Sequence, residues 1–364
     1  MLKKLVLLVA LSILLSSCSN HAEIFSGGTG TAKDPYIIKT KDDFITLINN
    51  TEKDNYNDKL SKSHYKQVND IDLKNCEEWN TFGCNNKDIQ KYGFSGIYDG
   101  NGYKISNLMI APSKNDSCKK ESEVMVDRAY GLFPVIKGYK KEKTKIKNLT
   151  LNNITIKFDS DSQTVDAVGA ICGFVNSNDS NDVIIDNCSG ANIKIQTNVD
   201  YAGMFIGLNS GTVKNSSIAG SIIIDQMSDR GVIGGFIGIN DGIIVDSESK
   251  SDIFLHDMEK YIPDGSEITN NMPNINSSNT NLYAYQIGGF VGENGLNNNL
   301  ARIDNSKAAG VVIIDSTKGQ LSKEDIEYLS SYINSFVNEN NGYVNESSSG
   351  MTVKGIKSEL EFGT

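Results

Sequence analysis

The chain has 364 residues, with 45 Asp and Glu against 35 Lys and Arg and a formal net charge of −10. Only three arginines occur (Arg128, Arg230 and Arg302), and no basic stripe exists to displace counterions, which excludes nucleic acid as a partner. The length suffices for one large repeat array, and the thinly spread acidity suits solubility rather than an acidic binding function.

Lys3 and Lys4 followed by an apolar run over 5–15 read as an export signal over residues 1–17, too short to span a bilayer comfortably. The run ends in Leu15-Ser16-Ser17-Cys18, which resembles the bacterial lipobox, where the Cys thiol receives a diacylglycerol and the new N-terminus is then acylated, commonly with palmitate. Cys18 is therefore the candidate lipidation site; the alternative is a plain secretory signal. Two or three acyl chains, at ~0.8 kcal/mol per buried CH₂, would make attachment effectively permanent. Ser19 follows the cysteine where an Asp would suggest inner-membrane retention, so the expected place is the outer membrane or cell surface.

Residues 18–33, small and polar, read as a lipidated Cys with a flexible tether. Residues 34–110 read as an N-terminal cap and first coils. Within them, Thr40 with Asp43 three residues on opens a helix whose apolar face is Phe44, Leu47 and Ile48. A strand over 65–73 contains VNDIDL, and Asp99-Gly100-Asn101-Gly102 is a hairpin-type turn signal.

From about 130 onward the chain repeats itself. One half of the unit is Gly-rich: VGAICG at 168–173, AGMFIG at 202–207, IGGFIG at 233–238 and IGGFVG at 287–292. The other is apolar-x-Asn-x with a β-branched run after it, and its Asn position falls at Asn148, Asn187, Asn215, Asp246 and Asn305. Spacings of 39, 28, 31 and 59 residues mean a stacked array. Three short strands per copy with tight turns predict an all-β fold: a right-handed parallel β-helix or solenoid of ~30-residue repeats with short helical caps. Gly at the bends accepts positive φ or backbone packed on backbone, and the five Asn-position residues form a structural ladder by amide stacking.

The repeats extend over 111–315, with insertions at 111–129 and 256–286. The second insertion is polar, Asn-rich and bears Tyr261, Tyr283 and Tyr285, the candidate ligand contacts, since long loops on one face of an array are where binding usually sits. Residues 316–364 read as a C-terminal helical cap and tail: Ser322 and Asp325 form a capping pair, and Ile326, Leu329, Ile333, Phe336 and Val337 share one side. Five cysteines follow Cys18. Cys76 and Cys84 are the candidate disulfide; Cys172 and Cys188 either pair or remain two buried thiols, Cys118 falls in an insertion, and the odd count leaves one thiol over.

These motifs together resemble the bacterial surface proteins that carry the GLUG repeat. The opening GGTGTAKDPYIIKTKDDF, the VNDIDL strand and FSGIYDGNGYKISNL match that family's N-terminal pattern, and the resemblance covers about 27–315. The repeat core departs from it, with Phe or Ile for Leu at 171, 205, 236 and 290, which reads as a packing-neutral change. The resemblance implies a β-solenoid surface module, as in adhesin-like proteins and the exported regions of IgA-protease-type zinc peptidases, and no activity. No His-Glu-x-x-His occurs, and His21, His64 and His256 are not at ligand spacing.

Gly27-Gly28-Thr29-Gly30 is no phosphate loop, no nucleophile elbow is present, and no cofactor or metal is expected. Oxygen-rich stretches at 159–162 and 176–183 suggest calcium but match neither an EF-hand nor a nonapeptide pattern, so solvated turns are the default. The expected function is a non-enzymatic binding or adhesion module for glycan or protein, anchored to the membrane through Cys18. The alternatives are a carbohydrate-active lyase or glycosidase, for which a groove of converging acidic and basic side chains would speak, and a passive envelope protein.

Overall fold

A computed structural model describes residues 24–77, 79, 82, 91–112, 126–139, 142–157, 166–197, 199–224, 231–256, 286–315, 333–357 and 360–363. The chain is a parallel β-solenoid. A representative coil runs through Tyr201–Gly203, Ile206–Asn209, Thr212–Lys214 and Ser217–Ile224, and the next repeats it at Val232–Gly234, Ile237–Asn240, Ile243–Val245 and Glu248–His256. Each strand pairs in parallel with its counterpart one coil on, so Ile206 lies opposite Ile237, Val213 opposite Ile244 and Ile222 opposite Ile253.

The coil has four strands rather than the expected three. The Gly-rich half breaks at Met204-Phe205 into two strands, which feed two six-stranded sheets, here sheets a and b. The strands that lead up to the Asn position form sheet c, of nine strands, and the long Ile/Val strands lead sheet d. Glycine makes the break possible because sheets a and b meet backbone to backbone. A Cβ on Gly203 would lie 2.0 Å from the Ile206 carbonyl oxygen and 2.5 Å from the Gly238 nitrogen. Close approach, not positive φ, is the requirement there.

Positive φ falls instead on the asparagines between sheets c and d. Asn148, Asn187, Asn215, Asp246 and Asn305 have φ of 54°, 53°, 50°, 49° and 43°, the left-handed region in which a short amide or carboxylate side chain is tolerated. Their backbone N–H groups donate to the next coil, Asn187 to Lys214 O (3.2 Å) and Asn305 to Asn345 O (3.0 Å) among them. The side chains do not form one column of stacked amides. Asn187 Nδ2 donates to Asn148 Oδ1 (2.8 Å), but Asn215 donates to Asp186 (2.8 Å), Asn305 to Asp246 (2.6 Å) and Asn345 to Asp304 (2.8 Å).

A continuous amide column exists elsewhere, at the Asn that closes sheet b. Asn209 donates to Asn240 (2.9 Å), Asn240 to Asn294 (2.8 Å) and Asn294 to Asn340 (2.7 Å). The first three are 0% exposed, and Asn209 and Asn240 also bridge the N–H and C=O of the glycine two residues on. Serines make a second column: the Oγ of Ser216, Ser247, Ser306 and Ser347 accepts, respectively, from the N–H of Cys188, Ser216, Ser247 and Ser306. Cys188 stands where the other coils have serine.

The Phe residues that replace Leu in the repeat core contact one another ring to ring. Phe205, Phe236, Phe290 and Phe336 stack in parallel through the core with centroids 4.9, 4.9 and 5.0 Å apart. A smaller apolar cluster lies apart from this core, between sheets a and b, where Ala129, Ala167 and Val232 meet Val135, Phe174, Leu208 and Ile239.

At the N-terminal end, α1 (Lys41–Asn49) carries the capping box of Thr40 and Asp43 and packs Phe44 against Trp79, Tyr98 and Phe133. Three expectations need correction. Residues 24–33 are not a tether: Phe25 is buried against Tyr36 and Tyr65, and Ile37 N donates to Gly27 O (2.8 Å). The turn at 99–102 joins Ile97–Asp99 in sheet c to Lys104–Ser106 in sheet d, so the two strands do not form a hairpin. The C-terminal helix fails from 333 on: Ile333–Asn334, Val337–Asn340, Tyr343–Asn345, Ser348–Ser349 and Thr352–Lys357 are one more coil, with Phe336 completing the stack. The start of that helix, 322–332, lies outside the described residues. Antiparallel pairing of Leu360–Gly363 with Thr352–Lys357 closes the edge of sheet d.

Candidate binding cleft

A concave site among the described residues is built outside the repeat unit, near the N-terminal end. Asn57 caps a short helix, Asp58–Ser61, by accepting from Leu60 N (3.1 Å). The turn places Tyr56, Asp58 and Lys62 on one side. Opposite them, Phe94 runs beside the end of the sheet b strand Phe133–Lys137: Phe94 N donates to Val135 O (2.9 Å) and Lys137 N to Phe94 O (2.7 Å). That pairing sets Lys91 and Tyr92 beside Lys137 and Tyr139, and Ser95 N donates to Ser61 O (2.9 Å), tying the two walls together. The resulting cleft encloses about 600 Å³, lined by Tyr56, Asp58, Lys62, Lys91, Tyr92, Ser95, Lys137, Gly138 and Tyr139.

Its composition contrasts with that of the chain. Three lysines face one carboxylate in a protein whose net charge is −10. Lys62 Nζ lies 2.5 Å from Asp58 Oδ1 and 4.5 Å from the centre of the Tyr139 ring, and Lys91 Nζ lies 5.0 Å from that of Tyr92. Tyr56 meets Tyr92 edge to face at 5.0 Å. The Lys62 hydrogen bond holds Asp58 below the usual carboxylate range. Burial pushes the Lys137 ammonium down, assisted by the neighbouring charges of Lys62 and Lys91, while Lys137 Nζ donates to Lys91 O (2.9 Å).

The residues singled out in the sequence do not meet here. Cys18, Tyr261, Tyr283 and Tyr285 lie outside the described residues, as do Cys84 and Cys118; Cys76 is buried at 5% exposure. Asn148, Asn187, Asn215, Asp246 and Asn305 line the corner between sheets c and d. Cys172 and Cys188 are free buried thiols, both pushed up by burial, Cys188 to about 12. They are inert on that account. Among the described residues, no group of three or more His, Cys, Asp or Glu is placed to hold a metal ion, and no helix is long and apolar enough to cross a membrane. The signal for the cleft was Tyr beside Lys in segments outside the period, NYNDKLSK at 55–62, KYG at 91–93 and KGYKK at 137–141.

No protein-family model matches the chain. Halomucin of Haloquadratum walsbyi (strain DSM 16790 / HBSQ001) is 32% identical over 155 residues, 41% of this chain. The chain spans only 1% of that protein's length. A crystal structure provisionally named an immunoglobulin A1 protease, from Bacteroides ovatus, superposes with a TM-score of 0.47 at 13% identity, covering 94% of this chain and 82% of that one.

Proposed function

We propose that the protein is an exported solenoid, held at the cell surface through a lipid on Cys18, that binds a glycan or protein ligand without chemically altering it. The observation that supports this is the cleft: three tyrosines and three lysines converge on about 600 Å³, within the range of small-molecule sites. Its single carboxylate, Asp58, is engaged by Lys62 and held ionised, which suits a structural charge and not a proton donor. The stretch shared with halomucin fits a surface setting.

A full-length sample on glycan and protein arrays tests the reading, with Tyr92→Ala as the paired variant. A ligand held by the wild type and lost by the variant supports it. Ligands retained equally by both would place binding elsewhere on the solenoid.

One observation favours a second reading, a polysaccharide lyase. Lys137, with its lowered pKa between two other ammonium groups, has the character of a base beside charge-neutralising lysines. Depolymerisation of an acidic polysaccharide by the wild type, abolished in Lys137→Gln, would replace binding with catalysis.

A further inference from the structure

We propose that the C-terminal end of the seam between sheets a and b is a calcium site, held by the carboxylates of Glu293 and Glu339 and the side-chain oxygen of Gln286. It stands apart from the cleft and does not rest on the binding reading above. Two columns of side chains face each other along that seam, where Leu208, Val232 and Ile239 share one apolar cluster. On sheet b the column runs from Leu208 to Ile239, then to Glu293 and Glu339, each in register with the next. On sheet a it runs from Tyr201 to Val232 and then to Gln286. Both columns turn polar at the same coil, where Glu293 is still only 5% exposed.

The polar groups gathered there are mostly acceptors. Glu339 accepts from Gln286 Nε2 and from Asn341 Nδ2 (3.3 Å). Asp241, one coil before Glu293, accepts from the N and Nδ2 of Asn297 (2.9 and 3.1 Å). Glu293 accepts from no described residue, and Gln286 Oε1 is buried with no hydrogen-bond partner. The Gln286 amide meets the Glu339 carboxyl through its nitrogen, so its oxygen lies beside the same group. No Lys, Arg or His among the described residues pairs with Glu293, Glu339 or Asp241. Like charges directly opposite each other destabilise a sheet, and burial sharpens the cost. Burial, followed by the charges of Glu339 and Asp241, pushes Glu293 up to about 7, and a bound cation relieves both carboxylates of the seam at once. Neighbouring strands lie about 4.8 Å apart, and Ca²⁺–oxygen bonds of about 2.3–2.6 Å let one ion bridge two carboxylates at that spacing. Glu339 is exposed, which leaves water free to complete the shell. Magnesium, which demands a near-ideal octahedron, suits this edge less well. With two carboxylates rather than three, the site is weak, at a Kd of about 10⁻⁴–10⁻³ M.

The test is titration calorimetry of the full-length protein at about pH 8, where Glu293 is ionised, with calcium chloride and separately with magnesium chloride. The expected result is a calcium affinity that falls at least tenfold in Glu293→Gln and in Glu339→Gln, with magnesium bound at least tenfold more weakly than calcium by the wild type. Asp179→Asn, in the oxygen-rich stretch at 176–183, should leave the calcium affinity unchanged. Calcium should also raise the melting temperature of the wild type and not that of Glu293→Gln. That exchange keeps the side-chain shape and removes a repelled charge, so the variant folds. No calcium binding by the wild type, equal binding by Glu293→Gln, or magnesium bound as tightly as calcium would each overturn the inference. Loss of calcium in Asp179→Asn alone would overturn it as well.

Discussion

The side-chain amide of Asn240 donates to the side-chain oxygen of Asn294 across 2.8 Å, although 54 residues separate them in the chain. The same oxygen-to-nitrogen order links Asn209 to Asn240 and Asn294 to Asn340, so each buried amide orients the next. Replacing Asn240 with Asp keeps the shape and puts an oxygen against the Asn294 oxygen. Asn209 and the Gly242 N–H still donate to one carboxylate oxygen, but the other faces the Gly242 and Asn294 oxygens with no donor, and this buried charge should cost about 3 kcal/mol at neutral pH. Chemical denaturation of Asn240→Asp measures it, with Asn215→Gly, at an exposed left-handed turn, expected to change stability by less than about 0.5 kcal/mol.

Phe236 sits between Phe205 and Phe290, both 4.9 Å away with ring planes nearly parallel to its own. Phe236→Ala should destabilise by about 3–5 kcal/mol through the cavity it leaves. Phe236→Leu, the residue typical of the resembled repeat, should cost about 1–2 kcal/mol, because volume is mostly kept and two ring contacts are lost. Equal stability of Phe236→Leu and wild type in urea would mean the stack is incidental.

Glu293 is 5% exposed, and it stands where the preceding coil has Ile239. Burial, then the carboxylates of Glu339 and Asp241, push it up to about 7 from 4.5. Below 4.5 both folded and unfolded chains hold this proton. Between 4.5 and 7 the unfolded chain releases it and the folded one keeps it, so this contribution to stability falls as pH rises and is fully lost above about 7. Glu293→Gln should therefore be more stable than wild type by about 2 kcal/mol near pH 8 and about equal to it near pH 4. Melting temperatures of the two proteins across that range show whether the gap opens with rising pH, as required, or stays constant.

Arg128 holds Asp166 through two hydrogen bonds, Nε to Oδ1 at 2.8 Å and Nη2 to Oδ2 at 2.5 Å, with both side chains nearly buried. Arg128→Ala leaves the carboxylate buried beside the start of sheet a and should cost about 3–5 kcal/mol; Arg128→Met combined with Asp166→Leu should recover most of it. A double-mutant cycle by denaturation distinguishes the pair from two independent losses.

The array was legible because every coil repeats the same constraints. Gly203 and its counterparts are forced by backbone contact between sheets a and b, and the asparagines from 148 to 305 by a left-handed turn. The last coil was hidden because those constraints relax at the end. A Cβ on Gly289 would lie 2.1 Å from the Ser335 carbonyl oxygen of the coil beyond. The terminal strand of sheet a is Ile333–Asn334, with Ser335 in the bend after it, so the glycine pair is no longer needed, and Ile333, Phe336 and Val337 also fit a helical spacing. The ordering of 24–33 was hidden because Phe25 is a lone aromatic in a small polar stretch. The cleft was illegible for a different reason. Its lysines and tyrosines come from three segments that share no period, brought together by the pairing of Phe94 with sheet b and by the bond from Ser95 to Ser61.

The most direct test of the stacked-coil account is disulfide trapping on sheet c. Lys214 and Val245 face each other as partners on adjacent parallel strands, 31 residues apart in the chain. In the full-length protein carrying Lys214→Cys and Val245→Cys, mild oxidation should give a rapid, quantitative intramolecular bond that raises the melting temperature, because neighbouring strands lie about 4.8 Å apart. Failure of that bond to form in folded protein, with Lys214→Cys linking instead to a cysteine placed at Asp252, would show that the coils do not stack in this alignment.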